Sequence, residues 1–267
     1  MSSMGAVSGG LTFDASGRPV HEPAFRRRRF LNWFPLGLAY ALLYMGRYNL
    51  TVSKNALGSL MTKEDFGIIF GAGTFTYALA FIINGPLTDR VGGRKTMLAG
   101  LLGSLAANLG MGAFVQSILT SPDPGKQNLT LWMSVLYAIN MYFQSFGAVA
   151  IVKVNAHWFH VRERGGFSGI FGTMISSGIF LAFSVNGWLL DLVSKDRAAG
   201  APASVWWVFY GPALLLAAIF VVELLMLRDR PGLAGFHDFD TGDASSGDDG
   251  KDVPALEPIP RPTTITS

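Results

Sequence analysis

The chain has 267 residues, of which 50% are hydrophobic and only 15% charged, and its mean hydropathy is +0.36. This composition is too apolar for one soluble domain of this length and predicts a membrane protein. The absence of cysteine excludes disulfides, thiol catalysis and thiolate metal sites. The formal net charge of +3 comes mainly from short loops, where basic residues set membrane orientation, so we expect no nucleic-acid partner.

The N-terminal segment, residues 1–25, is polar and lacks the apolar core of a signal peptide, so we predict a flexible cytoplasmic tail. Four arginines, Arg26 to Arg29, stand directly before the first apolar run, which extends from Phe30 to about Ser53. One interpretation of this cluster is a targeting or polyanion-binding patch. The simpler interpretation is an orientation anchor that keeps the N-terminus in the cytoplasm.

Five further apolar segments are long enough to cross a bilayer, which takes about 20 residues. They cover approximately residues 64–88, 94–119, 129–155, 166–192 and 204–227. Residues 26–231 are therefore predicted to form a bundle of six transmembrane helices. Lys and Arg residues near the membrane concentrate on the side of the N-terminus, so both termini are predicted to be cytoplasmic. Residues 232–267 are rich in Gly, Ser, Pro and Asp, and we predict a disordered tail.

Small residues recur at helical spacing in three of these spans. The groups are Gly67 with Gly71, Gly100 with Gly103, and Gly165 with Gly169 and Gly172. In membrane helices such spacing is typical of surfaces where two backbones approach closely. We therefore predict that all three groups lie in helix-helix contacts.

Arg47 lies deep in the first predicted span. An arginine at mid-membrane costs about 2.5–3.5 kcal/mol on insertion scales, so it should face the bundle interior or water and mark a binding site. Tyr40, Tyr44 and Arg47 have the spacing i, i+4, i+7, which places them on one helical face. A guanidinium fork beside two phenols suits a phosphate or a carboxylate. Snorkelling to the outer interface and a structural ion pair remain alternatives.

A short polar loop, Gly85-Pro-Leu-Thr-Asp-Arg-Val-Gly-Gly-Arg-Lys95, separates the second and third spans. It does not fit a nucleotide-binding loop, because Arg94 stands where a phosphate loop has Gly before its Lys. Between two membrane spans, the string resembles the signature loop between helices 2 and 3 of the major facilitator superfamily. The resemblance implies signature or gating roles for Gly85, Asp89, Arg90, Gly92, Arg94 and Lys95.

Three further stretches resemble one branch of that superfamily, the organophosphate:phosphate antiporters, which include the glycerol-3-phosphate and hexose-phosphate transporters. The stretches are Tyr40-x3-Tyr44-x2-Arg47-x-Asn49, the loop from His157 to Gly166 that contains Glu163 and Arg164, and Arg228-Asp-Arg-Pro231. The resemblance implies that Arg47 grips a phosphate group and that Tyr40 and Tyr44 line the cavity. It also implies that Glu163 and Arg164 belong to the cytoplasmic gate.

Three positions depart from the glycerol-3-phosphate transporters. Helix 2 of those proteins has a cavity Lys and helix 5 a cavity His, and this chain has Phe81 and Ile175 at these positions. The Gly-Trp-Pro-Pro string of helix 4 is replaced by Gly147-Ala-Val-Ala150. The resemblance therefore implies the fold and an anionic substrate, but not glycerol-3-phosphate itself.

The fourth span contains further polar candidates. Tyr137 and Gln144 are candidates for substrate contact, although hydrogen bonding and packing between helices are the commoner roles for such residues. Lys153 either supplies a second cation to the anion path or snorkels to the interface. In the gate, we expect Glu163 to pair with Arg90 or Arg94, an interaction that surface exposure would weaken.

The resemblance thus implies an all-α membrane protein. Six transmembrane helices would form half of a major facilitator superfamily fold, with two three-helix units related as an inverted repeat and with both termini cytoplasmic. The polar tail resembles the linker that leads to the second half. Three interpretations are open: a truncated gene product, a half-transporter with a separately encoded partner, and a parallel homodimer with two copies of Arg47.

The expected function is transport of a small organic anion across the bacterial inner membrane. The resemblance implies that a phosphorylated metabolite is exchanged for inorganic phosphate by alternating access, with a second six-helix half needed for activity. The alternatives are a membrane sensor or regulatory subunit that recognises a sugar phosphate without transport, and a non-functional truncated transporter. The sequence has no nucleophile–base set or metal-ligand cluster, so we expect no enzymatic activity, no cofactor and no metal. The expected partners are the lipid bilayer, a phosphate or phosphate ester, and the second half or a second copy.

Overall fold

The computed structural model describes residues 7–8, 11–13, 19–123, 127–194 and 204–243. Within these ranges six long helices are present: α1 Pro23–Leu57, α2 Lys63–Val91, α3 Gly93–Thr120, α4 Leu129–Trp158, α5 Val161–Ser194 and α6 Trp207–Met226. Five of them, α2 to α6, are long and apolar enough to cross a membrane. The predicted helical bundle is therefore confirmed, but α1 is less apolar because residues such as Asn32, Arg47 and Asn49 interrupt its hydrophobic run.

The N-terminal segment is more structured than the sequence predicts. Its described parts form three short antiparallel strands in the order β1 Val7–Ser8, β2 Leu11–Phe13 and β3 Pro19–Val20. The first helix then begins at Pro23, well before the predicted start at Phe30. Proline fits the first turn of a helix because its missing N–H has no partner there in any case. The four arginines from Arg26 therefore lie inside α1 instead of before it.

Side-chain caps explain where α2 and α4 begin. At the start of α2, the Thr62 hydroxyl accepts a hydrogen bond from the Asp65 N–H at 3.1 Å, and the Asp65 carboxylate accepts one from the Thr62 N–H at 3.0 Å. This reciprocal pair is a capping box. The side chain of Asn128 caps α4 by accepting the Leu131 N–H at 3.0 Å.

The connection between α2 and α3 consists of Gly92 alone. Its φ of 96° and ψ of 150° lie in a region open almost only to glycine. A Cβ atom built at this position would also lie 3.2 Å from Asp229 Oδ2. The turn therefore requires glycine, as the signature loop predicts.

In the bundle, α4 packs between α2 and α3, while α1 packs mainly against α5 and α6. Two apolar clusters fill the interior. On α1 the first extends from Phe25 to Met45 and the second from Leu50 to Leu57. Arg47 lies between them, so the polar centre of the bundle separates two apolar layers.

One end of the molecule carries most of the charged contacts, and we call it the basic end. It comprises the start of α1, the α2–α3 turn, the α4–α5 loop and the segment after α6. The cytoplasmic location of this end stays a prediction, and so does the inverted repeat of two three-helix units.

Two of the three predicted glycine contacts are absent from the described bundle. On α3, a Cβ at Gly100 would lie 2.9 Å from the Phe143 carbonyl oxygen, so this surface does pack closely on α4. In contrast, Gly67 and Gly71 on α2 have nothing within 4 Å of such a Cβ, and the same holds for Gly165, Gly169 and Gly172 on α5. The open glycines lie on α2 and α5. In these two helices the smallest share of the membrane-spanning apolar stretch is buried, 17% in α2 and 11% in α5.

The segment after α6 is ordered as far as the structure describes it. Residues Pro231–Ala234 form a 3-10 turn, and Phe236 and Phe239 pack edge-on against the Phe25 ring, with centroids 5.5 and 5.7 Å away. The carbonyl oxygen of Thr241 accepts the Val161 N–H at 2.9 Å. The predicted disorder therefore does not hold for residues 232–243. Residues 244–267 lie outside the described part of the chain.

Candidate functional site

Arg47 occupies the polar centre of the bundle, with its guanidinium between two tyrosine rings. Its Cζ lies 4.6 Å from the ring centroid of Tyr44 and 4.5 Å from that of Tyr77. Its Nε donates a hydrogen bond to Gln144 Oε1 at 2.9 Å. Within the described residues its terminal nitrogens have no hydrogen-bond acceptor, and Nη2 is buried without one. The side chain is thus held in place while its fork stays free to donate to a bidentate anion.

A chain of amide side chains supports this arrangement. Gln144 Nε2 donates to Asn140 Oδ1 at 3.2 Å, and Asn108 Nδ2 donates to the same oxygen at 3.2 Å. Asn49 Nδ2 in turn donates to Asn108 Oδ1 at 2.6 Å. All four amides are fully buried, and they come from α1, α3 and α4. They therefore tie α1, the helix that carries Arg47, to α3 and α4, and they fix the orientation of the Gln144 acceptor.

Two tyrosines that were predicted to share a face with Arg47 do so. The rings of Tyr40 and Tyr44 meet edge-on with centroids 5.2 Å apart, and Tyr44 also contacts the guanidinium. Cation–π contacts of this kind contribute about 0.5–2 kcal/mol each. The aromatic residues therefore hold the arginine and restrict its rotation.

Tyr77 on α2 is a contact that the sequence analysis missed. It stacks on Phe81, one turn further along α2, with centroids 6.2 Å apart. Phe81 itself, at the position where some transporters have a cavity Lys, is 46% exposed, and among the described residues its ring makes no cation–π contact with Arg47. The i, i+4 aromatic pair was a signal that could have directed attention to Tyr77.

Tyr137 and Gln144 were candidates for substrate contact, and the structure buries both completely. The Tyr137 hydroxyl donates to the Arg47 carbonyl oxygen at 3.3 Å. Gln144 accepts from the arginine side chain, as described above. In this conformation both residues support Arg47 and neither reaches open space.

An open cavity of about 730 Å³ lies on the basic-end side of this cluster, mainly between α4 and α5. Tyr40 lines it together with Lys153, Asp89, Gly85 and Ile175. The Lys153 ammonium lies 2.9 Å from Asp89 Oδ1, an ion pair in which the Asp89 side chain is 65% exposed. Lys153 is therefore paired with the signature loop, a third possibility beside the two that the sequence left open.

The expected pairing of Glu163 with Arg90 or Arg94 is wrong in this structure. Arg29 Nη1 instead donates to both Glu163 carboxylate oxygens, at 3.1 and 3.0 Å. His21 Nε2 lies 3.5 Å from Glu163 Oε2. The reason is that α1 extends back to Pro23, which brings its first turns against the start of α5.

The other gate residues have different partners. The Arg94 N–H donates to Asp229 Oδ1 at 2.7 Å, and its guanidinium donates to the Leu224 carbonyl at 2.8 Å. Arg164 pairs with Asp243 and donates to the Ala156 carbonyl at 2.8 Å. Arg90 and Lys95 are exposed. The signature loop therefore contacts the segment after α6 at Asp229, and the first turn of α5 contacts the same segment further along, at Asp243.

His160, in the loop between α4 and α5, is nearly buried beside this network. Burial lowers the pKa of its imidazole, which favours the neutral form. Its Nδ1 accepts the Arg162 N–H at 3.2 Å, as a neutral ring can.

The sequence of the chain is similar to those of known membrane transporters and of a sensor. It is 29% identical to the membrane sensor protein UhpC of Salmonella typhimurium over 202 residues, which cover 74% of this chain and 40% of that protein. It is 26% identical to the glycerol-3-phosphate transporter of Bacillus subtilis over 217 residues, covering 80% and 44%. It is also 24% identical to the D-galactonate transporter of Escherichia coli over 224 residues, covering 80% and 49%. The chain spans less than half the length of these relatives.

The sequence model of the Major Facilitator Superfamily matches residues 36–259. This range contains all four stretches that carry the resemblance, from Tyr40 to Pro231, and the apolar helices of the bundle. It places the protein among multi-pass integral membrane proteins, and the bacterial relatives support the inner membrane as its location. The chain belongs to the Major Facilitator Superfamily.

Proposed function

We propose that this chain supplies the Arg47 half of a binding site for a small organic anion, in a transporter that exchanges a phosphorylated metabolite for inorganic phosphate. The observation that carries the proposal is the free guanidinium fork of Arg47, held by Gln144 and by two tyrosine rings. A fixed fork with unused donors suits a phosphate or carboxylate, because both present two oxygens at matching spacing.

The neighbours of Arg47 support an anion in preference to a structural ion pair. Its side-chain hydrogen bond goes to a neutral amide, and within the described residues no carboxylate forms an ion pair with it. A cation held in a membrane protein without a counter-ion is costly. A bound anion would remove that cost, and the relatives named above include transporters of glycerol-3-phosphate and D-galactonate, both anions.

The open faces of α2 and α5 support the requirement for a second six-helix half. Along the first half of α5 most exposed residues are small or polar, and they include Ser168, Gly169, Gly172, Thr173, Ser176 and Ser177. The hydroxyl groups of this face already donate to carbonyl oxygens of α5 itself, so the face is open mainly to close packing. Small residues of this kind let the backbone of a neighbouring membrane helix approach closely. Alternating access also needs a second bundle to move against the first. That bundle would lie on the same polypeptide, on a separate chain or on a second copy.

Binding of inorganic phosphate to the purified chain, with any subunit that copurifies, tests the arginine. Arg47→Ala should weaken binding about 10- to 100-fold, the loss of one to two charge-assisted hydrogen bonds. Arg47→Lys should weaken it nearly as much, because a lysine keeps the charge but not the fork. Arg90→Ala, at an exposed position on the basic end, is the matched control and should bind normally. Equal phosphate affinity of wild type and Arg47→Ala would contradict the proposal.

A membrane sensor is the second candidate function, because the similar UhpC protein is named a membrane sensor. Transport and sensing use the same bound anion but differ in flux. Uptake of radiolabelled phosphate into proteoliposomes preloaded with phosphate separates them. Uptake that requires Arg47 supports the transporter, and binding that requires Arg47 without uptake supports the sensor.

A further inference from the structure

One face of α1 near the basic end takes no part in the proposed anion site. Arg27, Phe30, Phe34 and Leu38 follow the spacing i, i+3, i+7, i+11, which places them on one side of the helix. Phe30, Phe34 and Leu38 are exposed by 46%, 41% and 37%. Residues of the opposite side, such as Leu36, are buried. This face, which we call the α1 stripe, therefore points away from the core of the bundle.

The α1 stripe ends in a basic cavity. A space of about 440 Å³ between α1 and the beginning of α5 is lined by Arg26, Arg27, Arg29, Phe30, Trp33 and Phe167. Trp33 and Phe167 meet edge-on with centroids 5.0 Å apart and form an apolar floor. The cavity thus combines guanidinium groups at its rim with aromatic rings beneath them.

Two of the three arginines are available to a ligand. Arg29 is paired with Glu163, as described above. Arg26 and Arg27 are exposed, and their side chains make no hydrogen bond or ion pair within the described part of the chain. The nearby acidic side chain of Glu22 offsets one of the two charges at most. The rim therefore keeps a local excess of positive charge.

We propose that this cavity binds the headgroup of an anionic phospholipid, whose acyl chains lie along the α1 stripe. The phosphodiester would accept hydrogen bonds from Arg26 and Arg27 at the level where the apolar run of α1 begins. Phe30 and Phe34, stacked with centroids 5.1 Å apart and planes 14° apart, give the chains a flat apolar surface directly beneath the arginines. A free phosphate ion would contact the arginines alone and gain nothing from the α1 stripe. Because the basic cavity and the apolar α1 stripe adjoin each other, a ligand with a charged headgroup and acyl chains fits better than a free ion.

Lipid binding to the full chain in detergent tests the proposal, with native mass spectrometry as the readout and phosphatidylglycerol and phosphatidylcholine as the probes. The variant Arg26→Gln/Arg27→Gln should bind phosphatidylglycerol about 10- to 30-fold more weakly than wild type. The reason is that each basic residue near an anionic lipid surface raises the affinity by about three- to fivefold, and the variant loses two. Phosphatidylcholine binding should not change. The matched control Arg90→Gln/Lys95→Gln removes the same charge at the same end of the bundle and should keep wild-type affinity for phosphatidylglycerol.

Three results would overturn the proposal. The first is an equal loss in both double variants, which would show a general charge effect. The second is unchanged phosphatidylglycerol binding in Arg26→Gln/Arg27→Gln. The third is full competition by millimolar inorganic phosphate, which would identify a free-anion site. Arg26→Lys/Arg27→Lys guards against misfolding, because it keeps the charge and should retain most of the affinity.

Discussion

The polar centre of the bundle and the basic end use their hydrogen-bonding groups in different ways. At the centre, four buried amides bond to one another and to Arg47 Nε, and the arginine fork is left unused. At the basic end, nearly every charged group that is not fully exposed has a partner, as Glu163 has in Arg29. The groups at the centre position Arg47 and leave its terminal nitrogens available, whereas the groups at the basic end join α1, α5 and the segment after α6.

The difference teaches that buried polar groups have two uses in this protein. Neutral amides can satisfy one another without a counter-charge, so they can orient a cation and leave it available. Ion pairs at the basic end join α1, α5 and the segment after α6, which are distant in sequence. Breaking a contact at the centre should therefore affect both stability and anion binding, whereas breaking one at the basic end should affect stability alone.

The largest effect is expected from Asn108→Leu. Leucine has a similar volume, but it removes the acceptor of Asn49 Nδ2 and one donor to Asn140 Oδ1. A buried polar group without a partner costs about 1–3 kcal/mol, so the free energy of unfolding should fall by about 2–4 kcal/mol. Phosphate binding should weaken as well, because Gln144 loses its support. Unfolding in detergent and phosphate titration measure the two effects.

The control for this substitution is Asn55→Leu, at an exposed position on the same helix as Asn49. It should leave both properties almost unchanged. If Asn108→Leu is as harmless as Asn55→Leu, the amide chain does not organise the centre.

Gly92→Ala should be the most damaging single change at the basic end. Alanine is disfavoured at a φ of 96°, and its Cβ would lie 3.2 Å from Asp229 Oδ2. Backbone strain of this kind costs about 1–3 kcal/mol. The loss should be visible as a lower melting temperature, with phosphate affinity maintained.

A matched glycine is available for comparison with Gly92. Gly71→Ala lies within α2 and would meet nothing within 4 Å, so it should be neutral or raise stability by about 0.5–1 kcal/mol. Similar destabilisation by both substitutions would mean that the turn conformation is not what requires glycine.

Glu163→Gln should have a smaller effect. The substitution keeps the shape of the side chain but removes the ion pair with the half-buried Arg29. We expect the free energy of unfolding to fall by about 1 kcal/mol, between the values typical of exposed and buried pairs. Because salt screens the pair in wild type, the difference between variant and wild type should shrink as ionic strength rises.

Glu22→Gln, at an exposed acidic position nearby, is the control for charge alone. It should change stability by less than about 0.5 kcal/mol. If Glu163→Gln lost more free energy of phosphate binding than free energy of unfolding, the basic end would also control anion binding. That result would contradict the distinction between the two regions.

The smallest effect is expected for the ion pair of Lys153 and Asp89. Since the Asp89 side chain is 65% exposed, a double-mutant cycle with Lys153→Met and Asp89→Asn should give a coupling energy of about 0.2–1 kcal/mol. The cycle can be measured by chemical unfolding of the four proteins. A coupling above about 2 kcal/mol would show that this pair is buried in the functional state by a partner surface.

Much of the fold could be predicted from the sequence, because a helix that crosses a membrane must be long and apolar regardless of its neighbours. The spans predicted around residues 64–88 and 94–119 lie inside α2 and α3. The shared face of Tyr40, Tyr44 and Arg47 follows from helical geometry alone. In contrast, the start of α1 at Pro23 was missed, since a run of arginines has no hydrophobic period that could reveal a helix.

The partners of the polar residues were predicted less well. Glu163 has several arginines within reach in the sequence, and only the packing of α1 on α5 selects Arg29. Tyr77 is an ordinary aromatic residue of α2 until that helix is placed beside Arg47. The open glycines Gly169 and Gly172 of α5 have the same spacing as Gly100 and Gly103 on α3, of which Gly100 packs on a neighbouring backbone, so spacing did not distinguish them.

What the sequence by itself determined is the membrane class, the helical spans, the signature loop and the arginine that marks the centre, because each depends on composition or on spacing within one helix. What only the tertiary structure decided is which groups pair across helices: the amide chain behind Gln144, the second tyrosine ring on Arg47, and the contacts of the segment after α6. The physical reason is that periodicity specifies the direction of a side chain relative to its own helix axis. Its partners depend on how that helix is rotated and placed against others, which the whole bundle settles by packing.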